Sequence, residues 1–208
     1  MPSLFRTKLD PKVFDIKQVE MNLFIEFESY SPFFHGIDSS INSWVLLSEM
    51  RHHGLPTRLI DWTGTFAVAL YFALRGDVSK TQPCIRILNP LTLNKKSRNI
   101  GKILSIDYEY DYKKELLNPK IPFENPIAIY PLKSHSRLLA QDGFFTIHGT
   151  NEKSLDEIYP GLIKSFDIPK SIIPDAKKFF QMAKINEFSL YPDLDGLCRH
   201  MMQQYNFD

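Results

Sequence analysis

The chain has 208 residues, 43% of them hydrophobic and 13% aromatic, enough to bury a sizeable core within one domain. Its 25 basic and 24 acidic residues leave a net charge of +1, so no overall field favours nucleic acid or an anionic membrane surface. No apolar run approaches the roughly 18 residues that span a bilayer, and "MPSLFRTKLD" lacks the regions of a signal peptide. These features read as cytoplasmic. Cys84 and Cys198 have no metal-ligand spacing and read as two packed thiols in a reducing compartment.

In chain order, "PSLFR" (2–6) is a compact, turn-like opening. Ile16, Val19, Leu23, Phe27 and Tyr30 recur at the spacing of an amphipathic helix. Glu20 falls on that apolar face, where a buried carboxylate needs a partner. "SPFFHGIDSS" reads as a loop in which Ser39 or Ser40 caps the next helix, and Gly54 suits the end of that helix. On it His52 faces inward, and His53 falls above Glu49 at the rim.

Pro56 disfavours helix at Leu55, so "LPTRLID" is an extended lead to a cap at Asp61 or Thr63. A helix over about 63–75, apolar all round, is expected to be central and buried. Short β-rich runs follow at 84–88, 102–106, 127–132 and 143–149, with "KSFDIPK" as a further candidate. Asn89-Pro90 reads as a turn, "NKKSRNIGK" (94–102) as a solvated loop, and "DYEYDYKKE" (107–115) as a surface strand or turn. Helical patterns at 174–183 and in "DLDGLCRHMMQQY" close the chain. The expected fold is α+β, a mainly antiparallel curved sheet with helices packed on it. It forms one domain over 1–208: a helical part to about 76, a β-rich part over about 82–168, and terminal helices over about 170–208.

The segment "RHHGLPTRLIDWTGTFAVALYFAL" (51–74) crowds ionisable groups at the mouth of the most apolar helix. One reading is structural: Arg58 pairs with Asp61 or Glu20, His52 bonds a carbonyl, and Trp62 packs. The other is a nucleotide pocket. In it, the amides near Thr63 and the fork of Arg58 hold phosphates. Trp62 and Tyr71 line a ring site, and His52 contacts a ribose or moves a proton. Adjacent histidines on a helix point apart and no Cys or carboxylate set completes them, so no metal site is expected. Downstream, Arg137, Gln141 and His148 flank Gly143; a Gln can orient a substrate but cannot act as a general base.

"HHGLPTRLIDWTGTFAVALYFAL" resembles the signature block of the FRG domain family, in which His-Tyr-Gly-x-Pro-Thr-Arg-Leu-Leu-Asp precedes an Ala-Leu-Tyr-Phe-Ala helix. "PSLFR", "RLLAQDGFFTIHG" (137–149) and "LYPDLDGLCRHM" (190–201) are similar to three further family segments. The resemblance implies recurrent polar positions at Glu20, His52, Gly54, Pro56, Thr57, Arg58, Asp61, Thr63, Tyr71, Arg137 and Gln141. His53 replaces a usual tyrosine and Arg51 a usual glutamine. The Phe-Arg-Gly strand that names the family lies upstream of the segment at which this chain begins, so either the chain is incomplete or it lacks that strand. What the resemblance implies about activity is a nucleotide-binding, ADP-ribosyltransferase-like domain of bacterial toxin or phage-defence biology, with NAD as a substrate and no resident cofactor. The arrangement is similar to a three-part transferase site, but Gln141 stands where a glutamate is usual and the first arginine is absent. His52 and Gln141 would be the catalytic pair; Thr57, Arg58, Asp61, Trp62, Thr63, Tyr71 and Arg137 would hold the nucleotide. The alternative is a non-catalytic module that binds a ligand or a partner protein through the same residues.

Overall fold

A computed structural model describes residues 1–6, 15–35, 42–76, 78, 80–105, 111–117, 123–133 and 135–207. It is an α+β structure whose chain divides into two compact units: Met1–Asp61, Asn89–Leu132 and Phe145–Leu162 form the first; Trp62–Leu88, Lys133–Phe144 and Ile163–Asp208 form the second. Strands β1 (Leu59–Thr63), β3 (Leu104–Ser105), β4 (Ile127–Tyr130) and β5 (Gly143–Ile147) make a four-stranded sheet in the order β1-β5-β4-β3. It is mixed: β4 and β5 run antiparallel with Ile127 opposite Ile147, while β3 and β4 run parallel with Leu104 opposite Ile129. A separate antiparallel ribbon joins β2 (Cys84–Leu88) to β6 (Ile163–Asp167).

In the first unit, helix α1 (Ile16–His35) buries Glu20, Phe24 and Ser31. It continues through Pro32, past the point where the sequence suggests a loop; residues 36–41, with the Ser39 and Ser40 caps, lie outside the described residues. Helix α2 (Ser43–His52) is capped by Asn42, whose Oδ1 accepts from the Trp44 amide at 2.8 Å. It stops before Gly54, whose φ of +85° a residue with a Cβ adopts only under strain.

The Asn89-Pro90 pair opens a helix rather than a turn. Asn89 accepts from the Thr92 amide, and Pro90 occupies a first-turn position whose amide needs no partner, so α4 spans Pro90–Arg98. Its lysines are solvated, as expected for that stretch, while Leu93 and Asn94 are fully buried. Likewise "YKKELL" is helix α5 (Tyr112–Leu117), and Tyr112 is buried among Phe24 and Trp44 at ring distances of 5.4 and 5.2 Å. An aromatic anchor overrides the alternating pattern that suggested a strand.

Residues 59–63 are strand, so in the second unit helix α3 begins at Phe66 (Phe66–Leu74) with Thr65 as its N-cap. The cap expected at Asp61 or Thr63 does not form. Val68 and Leu70, two positions apart and so on opposite sides of the helix, are buried, and Ala67, Ala69 and residues 71–74 are partly buried; Phe66, at its start, is 67% exposed. Leu70 packs with Ile85, Ile168, Ala176 and Phe180, and Val68 with Leu190 and Tyr191. The short helix α7 (Leu155–Ile158) belongs to the first unit, while α6 (Ser136–Ala140), α8 (Ile173–Ala183), a turn α9 (Glu187–Leu190) and α10 (Leu194–Gln204) complete the second. An apolar groove of about 610 Å³ lies between α3, the β2–β6 ribbon and α8, lined by Phe66, Ile87, Phe166, Ile172 and Phe179 among others. Cys84 and Cys198, read as packed, are both exposed thiols. Among the described residues no helix is long and apolar enough to cross a membrane.

Candidate functional site

The crowded segment resolves into two places. In the first unit, Arg58, immediately before β1, turns its side chain inward, and the residue is 4% exposed. Its Nε donates to Glu20 Oε1 at 2.6 Å and its Nη2 to Glu20 Oε2, a two-pronged ion pair. Nη1 donates to the carbonyls of His148 and Gly149 at 2.9 and 2.7 Å. The Tyr112 hydroxyl donates to Glu20 as well. Burial alone would lower the Arg58 pKa, but the hydrogen bond and charge of Glu20 outweigh it and hold the guanidinium charged. Burial and then the Glu20 charge push the Tyr112 hydroxyl well above its ordinary range, so it stays a donor.

This geometry does not favour the phosphate-holding role expected for Arg58. Its guanidinium is engaged by internal acceptors, and Phe5 of the "PSLFR" turn lies over it, with the guanidinium carbon 5.7 Å from the ring centroid. The turn is itself docked: the Leu4 amide donates to the Thr57 carbonyl at 3.2 Å, and the Thr57 amide to Ser3 Oγ at 3.2 Å. Thr57 is 1% exposed and takes part in this junction. Asp61 accepts from Arg51 Nε at 2.8 Å and Nη2 at 2.5 Å. His52 and His53 pack edge to face at 4.8 Å, with His53 facing Glu49 across 3.8 Å, the rim position its spacing predicted.

His148, just beyond β5, is fully buried, and among the described residues neither ring nitrogen makes a hydrogen bond of ordinary length. Burial first, then the charges of the amino terminus and Arg58, push its pKa down to about 3, with the Lys153 backbone acting the other way. It is a neutral packing group there.

The second place lies within the second unit and gathers Tyr71, Arg137 and Gln141 on the segment Glu187–Tyr191. The Tyr71 hydroxyl donates to Glu187 Oε1 at 2.9 Å, and Gln141 Nε2 donates to the Leu190 carbonyl at 2.9 Å. The Arg137 guanidinium carbon stands 4.5 Å from the Tyr191 ring centroid. Two arginines the sequence reading did not select complete the group. Arg75, at the C-terminus of α3, reaches Glu187 through Nε at 2.9 Å and Nη2 at 3.2 Å, and Tyr191 Oη through Nη1 at 2.5 Å. Arg199, on α10, donates from Nε to Glu187 Oε2 at 3.0 Å. Their guanidinium carbons lie 4.7 and 5.1 Å from the same ring centroid. Glu187 and Tyr191 are buried, while the Arg75 and Arg199 side chains are each 41% exposed. Desolvation, then the Glu187 hydrogen bond and charge, push the Tyr71 pKa up, keeping the hydroxyl protonated.

Thr63 and Trp62 belong to this unit. Thr63 Oγ1 donates to the Gln141 carbonyl at 2.7 Å and accepts from the Thr65 amide at 3.1 Å, fixing the turn into α3; Trp62 is half-buried. The proposed catalytic pair is divided, with His52 in the first unit and Gln141 in the second. The signal that could have flagged Arg75 and Arg199 is their position: one closes the apolar helix, and the other sits four residues after Asp195 in an otherwise amphipathic terminal helix.

The fold and sites define an α+β protein with a buried arginine–glutamate lock in one unit and an arginine-rimmed tyrosine in the other. Residues 1–82 match the family model of the FRG domain, the stretch holding "PSLFR", Glu20, Arg58 and "FAVALYFAL". No curated protein and no solved structure matches the chain.

Proposed function

We propose that this FRG-domain protein binds a nucleotide of the NAD type through its second unit, as a recognition module rather than a transferase. The observation that carries this reading is the convergence of Tyr71, Arg137 and Gln141, chosen from two separate sequence segments, on Glu187–Tyr191. Polar capacity remains there. Among the described residues Gln141 Oε1 accepts no hydrogen bond, and it suits an amino or hydroxyl group of a base or ribose. Transfer chemistry finds less support. Glu187, the carboxylate of this group, has both oxygens engaged by Tyr71, Arg75 and Arg199, and Gln141 cannot take a proton.

Calorimetric titration with NAD, beside an assay of NAD consumption, tests the reading. Saturable binding without turnover, weakened by Arg137→Ala and Gln141→Ala, is the expected result. NAD consumption that Arg137→Ala abolishes would restore the transferase alternative, and absence of binding would end the nucleotide reading.

A further inference from the structure

The imbalance of charge around Tyr191 specifies more than a polar cleft. Arg75 and Arg199 share a single carboxylate, Glu187, so the pair retains a positive charge that no ion pair among the described residues offsets. Asp195, one helical turn before Arg199, forms no ion pair with it among those residues, and Asp193 is engaged in capping the Gly196 amide at 2.6 Å. The guanidinium of Arg137 lies on the same ring. Since each of the three stands close to one centroid, every pair of them lies within about 10 Å, a Debye length at 0.1 M salt, and they repel one another. Arg75 and Arg199, with one carboxylate between them among the described residues, are stabilised by an anion from outside.

Geometry says where it would sit. Arg199 uses only Nε internally; among the described residues nothing accepts a hydrogen bond from its Nη1 or Nη2. Those two NH₂ groups form a planar donor fork on a 41% exposed side chain, the shape that meets two phosphate oxygens side by side. Arg75 is oriented by its grip on Glu187 and Tyr191, and Arg199 by Glu187 and the ring, so the donors are held in place before any ligand arrives.

We infer that Arg199, supported by Arg75 and Arg137, is the seat for a diphosphate group. The ligand class is therefore a small molecule with two adjacent phosphates, with the nucleoside part secondary. The inference rests on the nucleotide-binding reading above and adds to it that phosphate provides most of the affinity.

The test titrates the full chain with inorganic pyrophosphate, adenosine and ADP-ribose separately, using wild type, Arg199→Ala and Arg199→Lys, with thermal melts as a check on folding. Pyrophosphate and ADP-ribose are expected to bind, with affinity falling as salt rises, and adenosine at least tenfold more weakly. Arg199→Ala should weaken pyrophosphate about tenfold, the scale of one charge-assisted hydrogen bond, and lysine should restore part of it. Should the alanine variant melt out, Arg199→Gln, which keeps a donor and removes the charge, is read instead. Pyrophosphate binding wild type and Arg199→Ala equally, or not binding at all, overturns the seat. ADP-ribose bound equally by both leaves the nucleotide reading standing without the seat. Arg199-dependent pyrophosphate binding with no ADP-ribose binding does the reverse.

Discussion

Glu20 and Arg58, 38 positions apart, meet as a two-pronged ion pair that is almost wholly shielded from water. Neither is tolerable alone, because removing one leaves the other an uncompensated buried charge. Arg58→Ala or Glu20→Ala should each cost about 3–5 kcal/mol of unfolding free energy in urea. Replacing both with methionine should cost less than the two single changes added together. An Arg58→Ala protein as stable as wild type would show that the lock does not hold the unit.

His148 makes stability sensitive to acid. Its folded pKa, pushed down to about 3, lies below the ordinary 6.5, so the folded state favours the neutral ring. Above pH 6.5 neither state binds the proton and this contribution is complete. Between pH 6.5 and 3 the unfolded chain takes up a proton that the folded one refuses. Stability then falls as pH falls, by on the order of 1.4 kcal/mol per unit. His148→Phe should flatten this part of a stability–pH profile; an unchanged slope would place the proton elsewhere.

Gly196 opens α10 against the segment that carries Tyr191. A Cβ built there would lie 1.8 Å from the Tyr191 carbonyl oxygen and 2.7 Å from its Cβ. Gly196→Ala should destabilise by about 1–3 kcal/mol, as overpacking does, and should weaken ligand binding by displacing Tyr191. Denaturation and calorimetry on the same preparation check both effects.

Tyr71 donates to a buried carboxylate, and its raised pKa predicts resistance to alkali. Ultraviolet titration of wild type against Tyr71→Phe should reveal one phenol that ionises only well above pH 10. Its contribution to stability, complete below pH 10, should disappear as pH rises beyond the unfolded value. Tyr71→Phe should cost about 1–3 kcal/mol, since Glu187 loses a donor it cannot replace with water. A loss under 0.5 kcal/mol would argue that the arginines alone satisfy Glu187.

Periodicity made the lock half legible. Glu20 falls on an apolar helix face, which required a partner, and Arg58 was one of the candidates. Tyr112 was hidden, because alternating tyrosine and charge resembles a surface strand and nothing local marks the third tyrosine as an anchor. Asn89-Pro90 misled because turns and helix starts share that chemistry. The candidate site was legible as a set of residues but not as a place. Tyr71, Arg137 and Gln141 could be picked individually; that they meet at Glu187–Tyr191, with Arg75, depends on contacts more than 40 positions apart. The functional weight assigned to Arg58 reversed because a cation near a helix start looks the same in sequence whether it awaits a phosphate or already has a carboxylate.

Asn94 illustrates how the first sheet avoids recruiting strangers. Its side-chain oxygen accepts from the Ala128 amide at 2.7 Å, and its nitrogen donates to the Ala128 and Lys102 carbonyls at 2.9 and 2.8 Å. One carboxamide thus stands in for a neighbouring strand at Ala128, beside a β3 only two residues long. Exposed main-chain groups at a sheet border are templates for amyloid-like pairing. An Asn94→Leu protein would leave both groups of Ala128 open, and the damage would show first as clumping in concentrated solution.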